Sequence, residues 1–387
     1  MRSVSVAGIG STAFGRHRER AIEELAVDAA AVAIGDAGVE QGDVGALYLG
    51  NFVSGRLTGQ EVLAGIVADE LGLENVPCTK VEGACASGGI AFRHAHLAVA
   101  TGQCDAALVV GVEKMTHAST PEVTTALNCA MDNRSDGPSG LTFPGLFGLA
   151  WRLYARRHGA TRDQVSAVVV KNKGNGLRNP LAHMGAALGL DEIAASPLIC
   201  DPLRLHDCCP VTDGAAALVL VATERVTSRA RPRVDVAAAI QTRGAPRIAG
   251  LADLCSFQAT VEAGRRAYAA AGVGPSDVDF VELHDCFSIS EVIDSEDLGL
   301  VPRGAGAAFA AEGRTAIGGD IPINPSGGLL AKGHPVGATG VGQIYEAVLQ
   351  LRGVHPNQVA GAGIGMTHNL GGAGVACTVS ILKRSDA

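Results

Sequence analysis

Val81-Glu82-Gly83-Ala84-Cys85-Ala86-Ser87-Gly88-Gly89 is the stretch on which the reading of this chain turns. Pro77 to Glu82 alternates and is rich in strand formers, whereas Ile90 to Ala100 is Ala-rich with apolar residues at helical spacing. The stretch therefore predicts a strand, a Gly-broken turn and a helix, with Cys85 at or just before the helix N-terminus. A free thiol titrates near ~8.5, and a helix N-terminus with a basic partner favours its thiolate. Ala84, Ala86, Ser87, Gly88 and Gly89 leave room for a substrate to reach the sulfur and for a main-chain N–H to face a developing oxyanion. Cys85 is thus a candidate nucleophile. A buried cysteine packs equally well in a small-residue turn, so this stretch alone leaves both readings open.

Outward from the turn, strands are expected at 4–9, 46–50, 77–82 and 106–112, with helices at 20–37 and 58–72. That alternation predicts a parallel sheet covered by helices on both faces. From about Thr116 to Cys209 the rhythm is lost. Gly137-Pro138-Ser139-Gly140 and helical patterns at 146–158 and 162–172 mark an inserted region over the sheet, a common form of substrate-binding cover. The core resumes at Pro210-Val211-Thr212-Asp213-Gly214 and a buried strand at Ala215–Val221, and the polar, basic segment Thr223–Arg233 divides the chain. Residues 1–228, with the insertion at about 116–209, form the N-terminal half, and residues 229–387 the C-terminal half.

The second half opens with a strand at 234–241 and repeats the first. Ala37-Gly38-Val39 with Asp43-Val44 recurs as Ala271-Gly272-Val273 with Asp277-Val278, offset by 234 residues. Gly214–Val219 likewise matches Gly374–Val379 in character. Two such units should pack face to face about a pseudo-two-fold axis. Turns at the carboxyl ends of equivalent strands then converge on one pocket.

Composition narrows the function. With 387 residues, 47% of them hydrophobic, the chain can bury a large core, and 51 glycines with only 4% aromatics suit tightly packed α/β layers. A net charge of -8 without basic runs excludes a phosphate-tracking groove, so no nucleic-acid partner is expected. No apolar run reaches about 18 residues, and Met1-Arg2-Ser3 leads straight into Val4-Ser5-Val6; no membrane partner and a cytoplasmic location are expected. Ten cysteines without framework spacing read as reduced thiols. His206-Asp207-Cys208-Cys209 has no second ligand pair at zinc spacing, so no metal is expected there. Gly361-Ala362-Gly363-Ile364-Gly365 fits neither the dinucleotide nor the P-loop pattern and reads as a strand packed closely on its neighbour.

A strand at Phe280–Leu283 ends in His284-Asp285-Cys286-Phe287, and later loops carry Asn324-Pro325-Ser326-Gly327-Gly328, Gly333-His334-Pro335 and His368-Asn369-Leu370-Gly371-Gly372. A nucleophilic cysteine needs a base, an oxyanion site and, where a C–C bond is handled, a second acid/base. Together with Ala84-Cys85-Ala86-Ser87-Gly88 and Asp207-Cys208-Cys209-Pro210-Val211-Thr212-Asp213-Gly214, this set resembles the thiolase superfamily, specifically the sterol-carrier-type thiolases, over essentially the whole chain. The resemblance implies an α/β, duplicated five-layered αβαβα thiolase-like fold, commonly homodimeric. It implies a coenzyme A-dependent acyltransferase that cleaves or forms 3-ketoacyl-CoA through an acyl-cysteine, with acyl-CoA and coenzyme A as substrates and no bound cofactor.

Carried over by resemblance, Cys85 matches the acylated nucleophile, His334 its activating histidine and Cys286 the acid/base cysteine. His284 stands where other thiolases have asparagine and would help hold the thioester oxygen. The last loop departs from the family's Cys-x-Gly pattern: His368-Asn369-Leu370 moves proton transfer to Cys286 and makes His368 an extra polar contact. Main-chain N–H groups of Cys85 and of the loop at Leu370 and Gly371 would form the second oxyanion hole, each donor lowering the barrier by roughly 3 kcal/mol. Asp285 is expected to cap the following helix. Two other functions accompany the resemblance. One is a retro-aldolase on side-chain CoA esters, whose relatives rely on tyrosines; this chain has four, with Tyr345 near the motif loops. The other is a non-catalytic acyl-CoA-binding subunit, against which intact Cys85, Cys286 and His334 argue. Some relatives also need a small OB-fold/zinc-ribbon partner protein.

Overall fold

Alternation of apolar side chains on a few strands organises the whole molecule, a computed structural model that describes residues 2–226 and 231–385. The boundary expected between residues 228 and 229, together with Met1, Asp386 and Ala387, lies outside the described residues. In the first half the elements run β1 (Val4–Ser11), α1 (Ile22–Ala37), β2 (Leu47–Gly50), α2 (Leu63–Glu70), β3 (Cys78–Val81), α3 (Ser87–Ala100) and β4 (Ala106–Glu113). The inserted region carries α4 (Phe143–His158) and α5 (Arg162–Arg178) before β5 (Gly214–Ala222). The second half has β6 (Arg233–Arg243), α6 (Gln258–Ala271), β7 (Phe280–Glu282), α7 (Ser288–Asp297), α8 (Val336–Arg352), β8 (Ile364–Gly371) and β9 (Ala376–Ser385).

The strands order as β3-β2-β4-β5-β1-β6-β9-β8-β7. The sheet is mixed, which corrects the all-parallel expectation. β2 runs parallel to β3 and β4, but β5 lies antiparallel between β4 and β1, and β9 lies antiparallel between β8 and β6. β5 returns after the insertion and β9 after a tight turn, so neither is fed by the crossover helix that a parallel strand requires. The halves meet through the single registered pair Ser5 and Asp235 of β1 and β6, where Ser5 Oγ donates to the Asp235 carboxylate at 2.6 Å.

β5 shows the layering. Ala215, Ala217, Val219 and Val221 pack with α1 and α2 on the outside, whereas Ala216, Leu218 and Leu220 pack with α3 and α8 on the inside. Val341, Ile344, Val348 and Leu351 of α8 share that inner cluster with Phe280 and Leu382 of the second half. Ala263 and Ala267 of α6 and Ile289, Val292 and Ile293 of α7 cover the far face through Val281, Val379 and Ile381. The result is helix, sheet, helix, sheet, helix. The repeat reaches the helix ends: α1 closes on Gly38 at φ 66° and α6 on Gly272 at φ 65°, left-handed positions that a Cβ would strain.

The central helices cross at glycine. A Cβ at Gly88 would stand 2.8 Å from the Gly337 carbonyl, so α3 approaches α8 backbone to backbone and brings Cys85 near His334. An ion pair fixes the loop before α8. Lys332 Nζ lies 2.6 Å and His355 Nε2 2.9 Å from the Glu346 carboxylate, all three groups buried. Burial alone would raise the Glu346 carboxyl, but Lys332 and His355 pull it down to about 2. Its stabilising contribution is therefore present above its ordinary value of 4.5 and lost as pH falls toward about 2. We expect Glu346→Gln to cost about 3–5 kcal/mol, because it strands the buried Lys332 charge. Urea unfolding at neutral pH measures this; a loss below about 1 kcal/mol contradicts it.

Candidate active site

The turn after β3 sets a half-buried cysteine just before a helix. Ala84 sits at φ 52°, a left-handed conformation rare for alanine and costly by about 1–2 kcal/mol. Ser87 Oγ holds it by donating to the Ala84 carbonyl at 2.6 Å while accepting from Gly83 N–H at 3.0 Å. Residues 84–86 form a single 3-10 turn leading into α3, so Cys85 lies just before the helix as the sequence indicates.

His334 lies between Gly333 and Pro335 at the entry to α8, and His284 follows β7. Their rings meet edge to face with centroids 5.0 Å apart, and one ligand-capable atom each of Cys85, His284 and His334 lies within 4.8 Å of the others. Neighbours set opposite tautomers on the two rings. Thr339 Oγ1 donates to the Pro335 carbonyl at 3.1 Å, so it accepts from His334 Nδ1–H at 2.7 Å and leaves a lone pair on His334 Nε2. Asn369 has its Oδ1 on Gly89 N–H at 3.4 Å, and its Nδ2 donates to the Cys85 carbonyl at 2.9 Å and to His284 Nδ1 at 3.1 Å. His284 therefore carries its proton on Nε2. One imidazole can accept a proton and the other can donate a hydrogen bond.

The resting site is neutral. Burial pushes the Cys85 thiol up to about 12, with Glu113 and Glu82 adding to the rise, against N–H groups of Gly372 and of Cys85 itself that favour the thiolate. Burial brings His334 down to about 3, and burial with the neighbouring His334 and His368 holds His284 well below the usual imidazole range. Removal from water and a nearby carboxylate thus work against the helix N-terminus, which favours the thiolate. A thiolate at Cys85 requires a base for its proton, and His334, with an unprotonated Nε2, belongs to the same triangle.

Cys286 lies outside the triangle, with Sγ 3.6 Å from Ser290 Oγ and its carbonyl accepting from Cys209 N–H at 3.0 Å. Burial, then Cys209, hold its thiol well above the usual range, and Cys85 adds to the rise. His368 is not in the pocket. Its Nε2 pairs with Thr260 Oγ1 at 3.0 Å in the layer between β8 and α6, because successive residues of a strand face opposite ways. Leu370 shares that outward face and packs in the outer core, while Asn369 takes the inward position expected of His368. Gly371 packs against the Gly83 carbonyl, and the Gly372 N–H is among the groups that favour the Cys85 thiolate. Asp285 accepts from Leu329 N–H at 2.6 Å and so caps the short turn 328–331 instead of α7.

Four contributors escaped the sequence reading: Asn369, Thr339, Gly372 and Glu113. Glu113 ends β4 fully buried and accepts from Phe52, Val53 and Gly337 N–H groups at 2.9, 3.2 and 3.1 Å, which ties β4 to the start of α8. Burial pushes it up to about 7 despite those bonds. An acid closing an otherwise apolar strand was the available signal.

Known proteins share this architecture. The family described as Thiolase, N-terminal domain, matches residues 4–224, and Thiolase C-terminal domain-like matches residues 242–384. An acetyl-CoA acetyltransferase of Methanothermobacter thermautotrophicus is 42% identical over 99% of this chain and 100% of its own length. Sterol carrier protein 2 of Oryctolagus cuniculus is 33% identical over 98% of this chain and 72% of its own. Among solved structures, the Ltp2-ChsH2(DUF35) aldolase superposes with a TM-score of 0.83 at 27% identity, covering 99% of this chain and 98% of that one. The chain belongs to the thiolase family. Within it, the protein is an enzyme, a coenzyme A-dependent acyltransferase that cleaves or forms 3-ketoacyl-CoA.

Proposed function

We propose that this thiolase carries a short acyl group, acetyl first, on Cys85 and exchanges it between coenzyme A and the α-carbon of a second acyl-CoA. The observation that supports this is the pair of opposite tautomers around Cys85. In acylation, the Cys85 sulfur attacks the thioester carbon while its proton passes to His334 Nε2. The oxyanion then faces His284 Nε2–H and the newly formed His334 N–H, and the leaving CoA sulfur recovers the proton. In the second half, Cys286 gives its thiol proton to the vacated His334 and, as the thiolate, removes the α-proton of an incoming acyl-CoA; the carbanion attacks the acyl carbon, and the departing Cys85 sulfur takes the proton back from His334. The C–S bond to Cys85 breaks as the oxyanion collapses from the N–H groups of Cys85 and Gly372. No cofactor beyond coenzyme A as substrate enters this scheme.

A panel of 3-ketoacyl-CoA esters with coenzyme A tests it. We expect two acyl-CoA products per coenzyme A consumed, with acetoacetyl-CoA among the good substrates. The aldolase likeness supports a second reading, retro-aldol cleavage of a CoA ester, which consumes no coenzyme A and releases a ketone or aldehyde; that stoichiometry overturns the thiolase scheme. The DUF35 in that aldolase's name also favours a second protein here, a small OB-fold/zinc-ribbon partner. We further propose a cytoplasmic homodimer serving lipid metabolism. β3 ends the sheet with one side unpaired among the described residues, and a second copy would cover that edge. No described helix is long and apolar enough to cross a membrane.

A further inference from the structure

We propose that the acylation centre is also a binding site for a soft divalent cation of the Zn2+ class, held by Cys85 Sγ, His334 Nε2 and His284, and that Asn369 limits its affinity. The three ligand-capable atoms lie within 4.8 Å of one another. Tetrahedral zinc with Zn–S of about 2.3 Å and Zn–N of about 2.0–2.1 Å needs ligand separations of about 3.3–3.6 Å, so contraction by about 1 Å closes the site. Small side-chain rotations supply that. His334 already has the support a metal-bound histidine needs, since Nδ1–H rests on Thr339 at 2.7 Å and leaves the Nε2 lone pair free. Binding would replace the S–H bond of Cys85 with S–Zn and release that proton to solvent, with no change of oxidation state. A fourth position stays open to water.

Asn369 works against the third ligand. Its Nδ2 donates to His284 Nδ1 at 3.1 Å, which keeps the proton on the Nε2 that the metal would need. A carboxylate at 369 would reverse this by accepting from Nδ1–H, the carboxylate–histidine–metal arrangement. Supporting groups of that kind shift affinity by about 10–100-fold. The amide thus serves acyl chemistry and disfavours metal capture with the same hydrogen bond.

Competition between metal and acyl donor rests on Cys85 being the acylated residue; metal binding itself does not. The test titrates the chelator-treated full-length protein with Co2+, following the sulfur-to-cobalt charge-transfer absorption, and then displaces it with Zn2+. We expect the band in the wild type, its loss in Cys85→Ala and Cys85→Ser, and binding at least about 10-fold tighter in Asn369→Asp. Circular dichroism shows which variants are folded. The proposal falls if the band survives Cys85→Ser, if the wild type gives no band, or if folded Asn369→Asp binds no more tightly. Acylation is read separately by intact mass: an acyl adduct on Cys85 without a cobalt band removes the metal site and leaves the acyl scheme standing. A cobalt band without an adduct does the reverse.

Discussion

Cys85→Ala should abolish acyl transfer in both directions, lowering turnover by at least about 10⁴-fold, the scale seen when a covalent nucleophile is removed. The loss is this large because no other group can take over. Cys286 and Cys209 are also thiols beside the pocket, but neither belongs to the triangle in which sulfur and the two imidazoles lie within 4.8 Å. A thiol that burial holds neutral attacks only when a base is in reach, and His334, with its Nε2 left unprotonated, shares the triangle with Cys85. Intact-mass analysis with acetyl-CoA is the direct measurement. The wild type should gain one acetyl group that hydroxylamine removes, and Cys85→Ala none. Equal adduct formation in the variant rejects the assignment.

The sequence carried the duplication and the first-half site because both depend on local pattern. Gly38 and Gly272 end equivalent helices, and the strand, small-residue turn and helix around Cys85 are consecutive in the chain. Strand direction was not local. β5 and β9 look like any buried strand of a parallel sheet, and only their partners across the insertion or the turn reveal that they run the other way. The inward residue of the last motif was within reach: once 364–371 is a strand, His368 and Asn369 must face opposite layers, and the small Gly89 and Gly340 mark the side that Asn369 enters. Protonation was out of reach. It depends on Glu113 arriving from β4 and on Thr339 one turn into α8, separations that no motif spans.

Cys286→Ala should divide the two half-reactions. In the proposed scheme acylation of Cys85 uses His334 and His284, and the Cys286 thiol contacts Ser290 at 3.6 Å outside their triangle. The adduct should therefore form at near the wild-type rate. Carbon–carbon bond formation and thiolysis should instead fall by about 100-fold or more, the usual contribution of a positioned acid/base, so acyl-enzyme accumulates. The fold removes one rival for this role, since His368 turns its imidazole to Thr260 behind the strand and cannot reach an α-carbon in the pocket. It supplies another in Cys209, whose N–H bonds the Cys286 carbonyl and whose thiol raises that of Cys286. Single-turnover mass spectrometry of the adduct beside steady-state thiolysis of acetoacetyl-CoA resolves the two. Thiolysis near the wild-type rate in Cys286→Ala rejects the acid/base assignment and makes Cys209→Ala the next variant. Loss of both half-reactions means that Cys286 shapes the pocket around Cys85 and transfers no proton.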